Sequence, residues 1–178
     1  MDVIGFCGLP GAGKSTAIES IKDLGEVVTM GDVIRKEAKK RNLAPTDKIL
    51  GKIGKELREE FGSDIIAKKC VLYIENLKSD VIFVDGVRSV EECKVFRKRW
   101  EFPLILIRMD DSKRYKNLSQ RGRKDDPESL EDLRVRDQRE IEYGLSELVK
   151  IVDYTILNDS TIEELKKNTR EFVLKLIE

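Results

Sequence analysis

The residues best suited to chemistry form a glycine-rich segment near the start of the sequence, closed by a lysine and a serine. The segment Gly8-Leu9-Pro10-Gly11-Ala12-Gly13-Lys14-Ser15 matches the pattern G-x-x-x-x-G-K-[ST]. Glycines let such a loop turn backbone N–H groups toward phosphate oxygens, and the helix that follows adds the positive end of its dipole. The pattern predicts an ATP site comprising Gly8, Leu9, Pro10, Gly11, Ala12, Gly13, Lys14, Ser15 and Thr16, with Ser15 also binding Mg²⁺. The alternative is a plain glycine-rich turn between a strand and a helix.

Phosphoryl transfer needs positioning and charge neutralisation, so arginines and a further carboxylate are expected near this loop. Asp85-Gly86-Val87-Arg88 follows the apolar run Val81–Val84. Asp85 is predicted to hold Mg²⁺ directly or through water at the carboxyl end of a strand, where open α/β sheets bind ligands. Gly86 would let the backbone approach a ligand, and Arg88 would bind phosphate. The alternative is an ordinary Asp-Gly turn followed by a surface arginine.

Two more clusters carry the right charges. In Gly31-Asp32-Val33-Ile34-Arg35, Asp32 can cap a helix, and Arg35 lies one turn later, where it could bind a second ligand. The segment Arg121-Gly122-Arg123-Lys124-Asp125-Asp126, with Arg134 beyond it, could close over the transferring phosphate. For both clusters the alternative is a solvated charged surface.

Composition narrows the class of protein. The 178 residues are 40% hydrophobic, which suits a single domain, 1–178. Lys+Arg and Asp+Glu both total 34, which argues against a nonspecific nucleic-acid or membrane surface. Histidine is absent, which excludes Ser-His-Asp and Cys-His mechanisms. Three widely spaced cysteines without C-x-x-C, and no signal peptide or membrane span, predict a cytoplasmic protein without disulfides.

The elements that must position these residues alternate between strands and helices. Five apolar runs read as buried parallel strands: Val3–Cys7, Val27–Met30, Val81–Val84, Leu104–Met109 and Tyr154–Leu157. Helical patterns separate them, which predicts an α/β fold of the P-loop NTPase type, with a five-stranded parallel sheet and helices on both faces. A helix should start at Pro45-Thr46-Asp47 and end at Gly62, and Ser160 with Glu163 should cap the last helix. Residues 31–64 are predicted to form a small helical acceptor-binding insertion, and 121–127 a short lid.

These motifs together resemble the adenylate-kinase branch of P-loop nucleoside monophosphate kinases, in particular small archaeal adenylate-kinase-related proteins. Gly31-Asp32-x-x-Arg35 resembles the family's Gly-Asp-x-x-Arg, whose arginine binds the monophosphate. Asp85-Gly86-Val87-Arg88 resembles its Asp-Gly-x-Pro-Arg, one residue shorter and without the proline. Arg123 to Asp126, with Arg134, resembles the end of its lid.

The resemblance has departures. Met30 replaces a threonine, Glu92 replaces the glutamine that reads adenine, and Asn117 replaces the arginine that stacks on the donor base. The resemblance implies an Mg²⁺-dependent ATP phosphotransferase acting on a nucleoside monophosphate, with AMP as the expected acceptor. It implies catalytic roles for Lys14, Arg88, Arg121, Arg123 and Arg134, and an acceptor site of Gly31, Asp32, Arg35, Gly86, Arg88 and Glu92.

Two alternatives remain open on the residues. The acceptor could be a hydroxyl, as in dephospho-coenzyme A kinases, with Asp32 as general base. The chain could also be a non-catalytic protein that binds ATP and AMP.

Overall fold

A computed structural model describes residues 1–121 and 129–177, and it contains the predicted sheet. Its five strands, all parallel, are β1 (Asp2–Cys7), β2 (Glu26–Thr29), β3 (Val81–Asp85), β4 (Leu104–Arg108) and β5 (Tyr154–Leu157). Their order across the sheet is β2-β3-β1-β4-β5. The prediction of an α/β fold with a five-stranded parallel sheet is therefore confirmed.

The described helices join these strands in sequence. They are α1 (Lys14–Glu19), α2 (Met30–Lys40), α3 (Asp47–Phe61), α4 (Ile65–Ile74), α5 (Val90–Arg97), α6 (Asp111–Arg121), α7 (Leu130–Glu142), α8 (Leu145–Leu148) and α9 (Ile162–Ile177). Thr46 caps α3 through its side chain, and Gly62 ends that helix with a φ of 99°, as the sequence predicts. The cap of α9 lies one residue later than predicted, because Thr161 Oγ1, and not Ser160, accepts the N–H of Glu164.

Two hydrophobic cores lie on opposite faces of the sheet. Alternate residues of β1 divide between them: Val3 and Cys7 pack on the face covered by α2 to α5 and α8, whereas Ile4 and Phe6 pack on the face covered by α1 and α9. Burial on both faces is what produces the continuous apolar runs of the strands. In the described part of the chain, no helix has the length and apolar character to cross a membrane.

Strand order determines where a ligand can bind. The chain leaves β1 for the edge strand β2, returns to β3 beside β1, and then crosses to β4 on the other side of β1. In open α/β sheets the crevice at such a reversal, outside the carboxyl ends of the strands, is the ligand site. Phe6 of β1 is in register with Asp85 of β3, so the loops that follow these two strands meet at one edge.

Candidate active site

A cavity of about 1470 Å³, here called the main cavity, opens at the carboxyl edge of the sheet. It brings together most of the residues that the sequence singles out. From the glycine-rich loop it is lined by Gly8, Pro10, Gly11, Gly13, Lys14, Ser15 and Thr16; from the loops after β2 and β3 it is lined by Gly31, Asp32, Arg35, Asp85, Gly86 and Arg88.

Three glycines give the loop its shape. Gly8, Gly11 and Gly13 have φ values of 136°, 79° and 101°, which side chains other than hydrogen rarely allow. A Cβ on Gly8 would also lie 2.3 Å from the carbonyl oxygen of Ile107, and one on Gly13 would lie 2.3 Å from Nδ2 of Asn158. The glycines therefore serve both the backbone turn and the close approach of β4 at Gly8 and of the Asn158 side chain at Gly13.

Side-chain donors hold the carbonyl groups of five consecutive loop residues. Lys14 Nζ donates to Gly8 O (2.7 Å) and Leu9 O (3.1 Å), Arg114 to Pro10 O (2.9 Å), Asn117 to Gly11 O (3.3 Å), and Asn158 to Ala12 O (3.0 Å). In a trans peptide the carbonyl and the next N–H point in opposite directions. The N–H groups of Gly11 and Gly13 therefore point away from Arg114 and Asn158.

Backbone donors also accumulate where α1 begins. The first N–H groups of a helix have no partner inside the helix, and in α1 these belong to Lys14, Ser15 and Thr16. Ala17 N–H is the first to close a helical bond, to Gly13 O. The loop and the helix start together form a concave set of N–H donors of the kind that binds phosphate groups.

Lys14 lies among opposing charges. Burial lowers the pKa of its ammonium group, and the carboxylates of Asp85 and Glu140 partly offset this effect. Arg88 acts in the same direction as burial, because a second positive charge disfavours a protonated lysine. A polyphosphate bound in the loop would add negative charge around Lys14 and favour its charged form.

Arg114 of α6 ties the loop to α7. Its side chain is 3% exposed, and besides Pro10 O it contacts both carboxylate oxygens of Asp137, at 3.0 and 2.5 Å. Asp137 follows Arg136, which lines the main cavity. A buried bidentate pair of this kind fixes orientation as well as distance. The position of α7 relative to the loop is therefore set by one arginine that the sequence analysis did not select.

Arg35 is held beside the start of α2. Its Nη1 donates to Asp32 Oδ1 at 2.9 Å, within the same helix. A Cβ on Gly31 would lie 3.1 Å from that same Nη1, so the absence of a side chain at Gly31 lets the guanidinium lie against the backbone. Asp32 and Arg35 both line the main cavity, with side chains 57% and 36% exposed.

Arg88 is fixed from two sides. Its Nε contacts Glu140 Oε2 of α7 at 2.9 Å, and its backbone N–H donates to Glu92 Oε2 at 2.9 Å. Gly86, with a φ of 93°, makes the turn before it, and Gly86 N–H donates to Phe6 O. Within the described part of the chain, the two terminal nitrogens of Arg88 form no hydrogen bond, so they can contact a phosphate while Glu140 holds Nε.

The position of Glu92 corrects a prediction. Glu92 is fully buried, accepts Arg58 Nη2 at 2.7 Å as well as the Arg88 N–H, and does not line the main cavity. A carboxylate enclosed in this way cannot reach an acceptor base. Its role is to join α3 to the turn that carries Arg88.

The predicted lid arginines have different outcomes. Arg134 does not line the main cavity: its side chain is 77% exposed and lies 3.6 Å from Glu131. Arg136, about 200° further around α7, lines it instead, because it shares a helix face with Glu140. The side chain of Arg121 at the end of α6, Arg123 and the rest of 122–128 lie outside the described residues.

Two oxygen donors are suited to Mg²⁺. Ser15 is exposed at the start of α1, and Asp85 ends β3; both line the main cavity. Hydroxyl and carboxylate oxygens suit this hard cation, which usually takes few protein ligands and completes its shell with water and substrate phosphates. Among the described residues no group of three or more His, Cys, Asp or Glu forms a metal site of its own.

Sequence reasoning missed the residues that support the site from behind. Glu140 holds Arg88, Arg114 and Asn158 hold carbonyls of the loop, and Arg136 lines the main cavity. They lie on α6, on α7 or after β5. For Arg136 and Glu140, the i, i+4 spacing was the available signal.

Comparisons with known proteins agree with this geometry. A family model described as an AAA domain matches residues 4–142. A UPF0200/UPF0201 protein of Archaeoglobus fulgidus is 43% identical over 181 residues, and the match covers 99% of this chain but 56% of that relative. The chain thus spans just over half of that relative's length. A UPF0200 protein of Methanosarcina barkeri is 41% identical over 174 residues, covering 96% of this chain and 94% of the relative.

Solved structures similar to this one include kinases. Protein TT1252 of Thermus thermophilus superposes with a TM-score of 0.61 at 16% identity, covering 98% of this chain and 97% of that one. Shikimate kinase from Acinetobacter baumannii, in complex with shikimate, gives a TM-score of 0.61 at 12% identity, covering 98% and 94%. At these identities the likeness establishes a P-loop kinase-like fold.

Proposed function

The chain belongs to the UPF0200 family of archaeal proteins, a family model described as an AAA domain matches it, and from the geometry of its site we propose that it transfers the γ-phosphoryl group of ATP to the phosphate of a nucleoside monophosphate, with AMP as the expected acceptor. One observation carries the proposal. A single cavity is lined both by the glycine-rich loop and by two guanidinium groups, Arg35 and Arg88, that are suited to a second phosphate.

The donor half of the cavity suits a triphosphate. The N–H groups of the loop and of the start of α1 bind the phosphates, and Lys14 reaches the β- and γ-phosphates. Because the loop carbonyls are already held by Arg114, Asn117 and Asn158, these donors need little rearrangement when ATP binds.

Mg²⁺ would be held by Ser15 and Asp85, and it would neutralise charge on the β- and γ-phosphates.

The acceptor half suits a second phosphate. Arg35 approaches from α2 and Arg88 from the turn after β3, and the planar guanidinium groups match phosphate oxygens. Glu140 keeps Arg88 oriented through Nε. A phosphate acceptor is already anionic and needs no general base, so positioning and charge neutralisation carry the reaction. We assign Arg136 the contact with the transferring group that the sequence assigned to Arg134; Arg121 and Arg123 remain predicted members of the same set.

The test is acceptor-dependent ADP release with AMP, GMP, CMP and UMP. We expect one monophosphate to stimulate release, and Arg88→Lys to weaken binding of that acceptor at least tenfold while ATP binding changes little, because lysine cannot reproduce the planar fork. Arg97→Lys is the matched control, since Arg97 is also paired with a carboxylate, Asp153, at 2.7 Å, but does not line the main cavity. ATP binding without stimulation by any acceptor would favour a non-catalytic nucleotide-binding protein.

Asp32 supports a second candidate, a kinase with a hydroxyl acceptor such as dephospho-coenzyme A. Its carboxylate is 57% exposed and lines the main cavity, where it could accept a proton. For a phosphate acceptor, Asp32→Asn should leave the single-turnover rate within about tenfold. For a hydroxyl acceptor, loss of a general base should slow the rate by roughly 10²–10⁴-fold.

A further inference from the structure

A second cavity, of about 290 Å³, lies beside the main cavity, between the edge strand β2, α2 and α4. We call it the α2–α4 groove. Three residues line both spaces: Val27, Thr29 and Asp32. The groove therefore begins where the acceptor half of the main cavity ends, next to the Asp32–Arg35 pair.

The groove is positively charged. Lys36, Lys40 and Lys69 line it, and in the described part of the chain no carboxylate pairs with any of the three. Its two acidic residues are engaged with arginines: Asp32 with Arg35 at 2.9 Å and Glu37 with Arg41 at 2.8 Å. Three lysine charges thus remain for an anion. Because lysine ammonium groups are compact point charges on flexible stems, they suit a phosphate group well.

The groove also contains an aromatic ring, that of Tyr73. Tyr73 lines the groove and is 50% exposed, and Lys36 Nζ lies 5.0 Å from the centroid of its ring. Among the described residues that line the main cavity, none is aromatic. Glu92, the predicted reader of the acceptor base, is buried behind the Arg88 turn. Among the described residues that line the two cavities, Tyr73 is the aromatic one, which makes it the candidate stacking surface for an acceptor base.

We propose that the α2–α4 groove is an acceptor subsite, and that the preferred acceptor is a nucleotide carrying a second phosphate group. This inference rests on the proposed function. The reacting phosphate lies between Arg35 and Arg88, the base lies on Tyr73, and the second phosphate is held by Lys36, Lys40 and Lys69. An acceptor of this class is larger and more anionic than AMP.

The experiment compares calorimetric titrations of AMP and adenosine 3′,5′-bisphosphate. The wild-type protein should bind the bisphosphate at least tenfold more tightly, because its second phosphate gains charge-assisted contacts. The double variant Lys40→Ala/Lys69→Ala, which leaves Lys36 over the Tyr73 ring, should lose most of that preference, with AMP affinity staying within about twofold. The matched control Lys52→Ala/Lys55→Ala removes two lysines from the exposed face of α3, where they form only long ion pairs of 3.9 and 3.7 Å, and should keep the preference.

Several results would refute the proposal that the α2–α4 groove is an acceptor subsite. These are a wild-type protein without preference for the bisphosphate, a groove variant that weakens both ligands equally, and bisphosphate binding that does not compete with AMP. Phosphoryl transfer from ATP to AMP or to adenosine 3′,5′-bisphosphate by the wild-type protein tests the proposed function separately, because titration needs no turnover. Competitive, Lys40- and Lys69-dependent binding in a protein that transfers phosphate to neither acceptor would refute the transfer and retain the groove as a nucleotide subsite.

Discussion

Lys14 must exchange partners during any reaction with ATP. In the structure its ammonium group donates to the carbonyls of Gly8 and Leu9, and burial lowers its pKa. A bound triphosphate offers better partners, since hydrogen bonds between charged groups are stronger than those to neutral carbonyls. In the proposed reaction the same lysine, which holds the loop carbonyls in this structure, would neutralise phosphate charge once ATP is bound.

Replacing Lys14 with alanine tests this role. Because one charge-assisted contact is worth about 1.5–3 kcal/mol, Lys14→Ala should lower ATP affinity or the transfer rate by roughly tenfold or more. Calorimetry and stopped-flow measurements give the two quantities. Lys94→Ala, an exposed position on α5, is the control and should change neither. Unaltered binding and kinetics in Lys14→Ala would remove the phosphate-loop assignment.

Individual residues show how far sequence reasoning reaches. The loop glycines, Lys14 and Ser15 follow a local pattern, and their site forms within nine consecutive residues. Glu92 could not be placed in the same way, because its burial depends on Arg58, which is 34 residues away on α3. Arg134 and Arg136 are two residues apart, and only the packing of α7 decides which one lines the main cavity.

Among the helices and strands, the buried strands could be predicted from the sequence. The side-chain contacts that hold one element against another could not. Each of the five apolar runs became a strand, with ends shifted by one residue at most, since burial on both faces leaves a direct trace in composition. Arg114, Asn117 and Asn158 lie about a hundred residues or more beyond the loop carbonyls that they hold. No local spacing records such contacts.

Gly13, at the junction of the loop with α1, can be compared with Gly62, which ends α3 far from the loop in sequence. Gly13→Ala and Gly62→Ala each force a side chain into a positive φ and should each cost about 1–3 kcal/mol of unfolding free energy. Only Gly13→Ala also meets Asn158 Nδ2, at 2.3 Å, whereas the nearest atom to a Cβ on Gly62 is 3.4 Å away. ATP affinity should fall at least tenfold in Gly13→Ala alone. Equal ATP affinity in the two variants would show that the loop tolerates displacement.

The link between α3 and the Arg88 turn gives a prediction of stability. Glu92→Ala leaves Arg58, a side chain 10% exposed, without its carboxylate, and should cost about 3–5 kcal/mol in denaturant unfolding. The double variant Arg58→Leu/Glu92→Leu should recover much of that loss, because neither charge is left buried. Glu59→Ala, on an exposed 3.7 Å pair with Lys55, should cost less than about 0.5 kcal/mol. If Glu92→Ala lowered the unfolding free energy by no more than Glu59→Ala does, the buried Arg58–Glu92 pair would not be important for stability.

Across the whole molecule, α3 and α7 face each other beside the main cavity. Asp47 at the start of α3 contacts Arg139 at 2.7 Å and Arg136 at 3.4 Å, and Tyr143 Oη donates to Gly51 O at 3.2 Å. A Cβ on Gly51 would meet the guanidinium group of Arg139, so this side chain lies against the backbone of α3 at Gly51. Asp47 thus contacts Arg136, the residue to which we assign the contact with the transferring phosphate.

Weakening the contacts of Asp47 with Arg136 and Arg139 should lower stability and raise acceptor affinity. Asp47→Asn should lower the unfolding free energy by about 0.5–1.5 kcal/mol and raise acceptor affinity severalfold, because the Asp47 charge no longer competes with the acceptor phosphate for Arg136. Thermal unfolding and titration with AMP measure both. The control is Glu56→Gln, which lies on α3 like Asp47 and loses a 2.7 Å pair with Arg41 at the end of α2. It should affect stability alone. Lower acceptor affinity in Asp47→Asn would mean that the Asp47 contacts support the site and do not compete for Arg136.

In the proposed reaction a γ-phosphoryl group moves from ATP on the glycine-rich loop to a phosphate held by Arg35 and Arg88. The most direct measurement follows the label of γ-³²P-ATP in the presence of AMP and separates the products. We expect label in the β-phosphate of newly formed ADP, at a rate that Lys14→Ala and Arg88→Lys each lower by roughly tenfold or more. Label released only as inorganic phosphate, at the same rate with and without AMP, would contradict the proposed reaction.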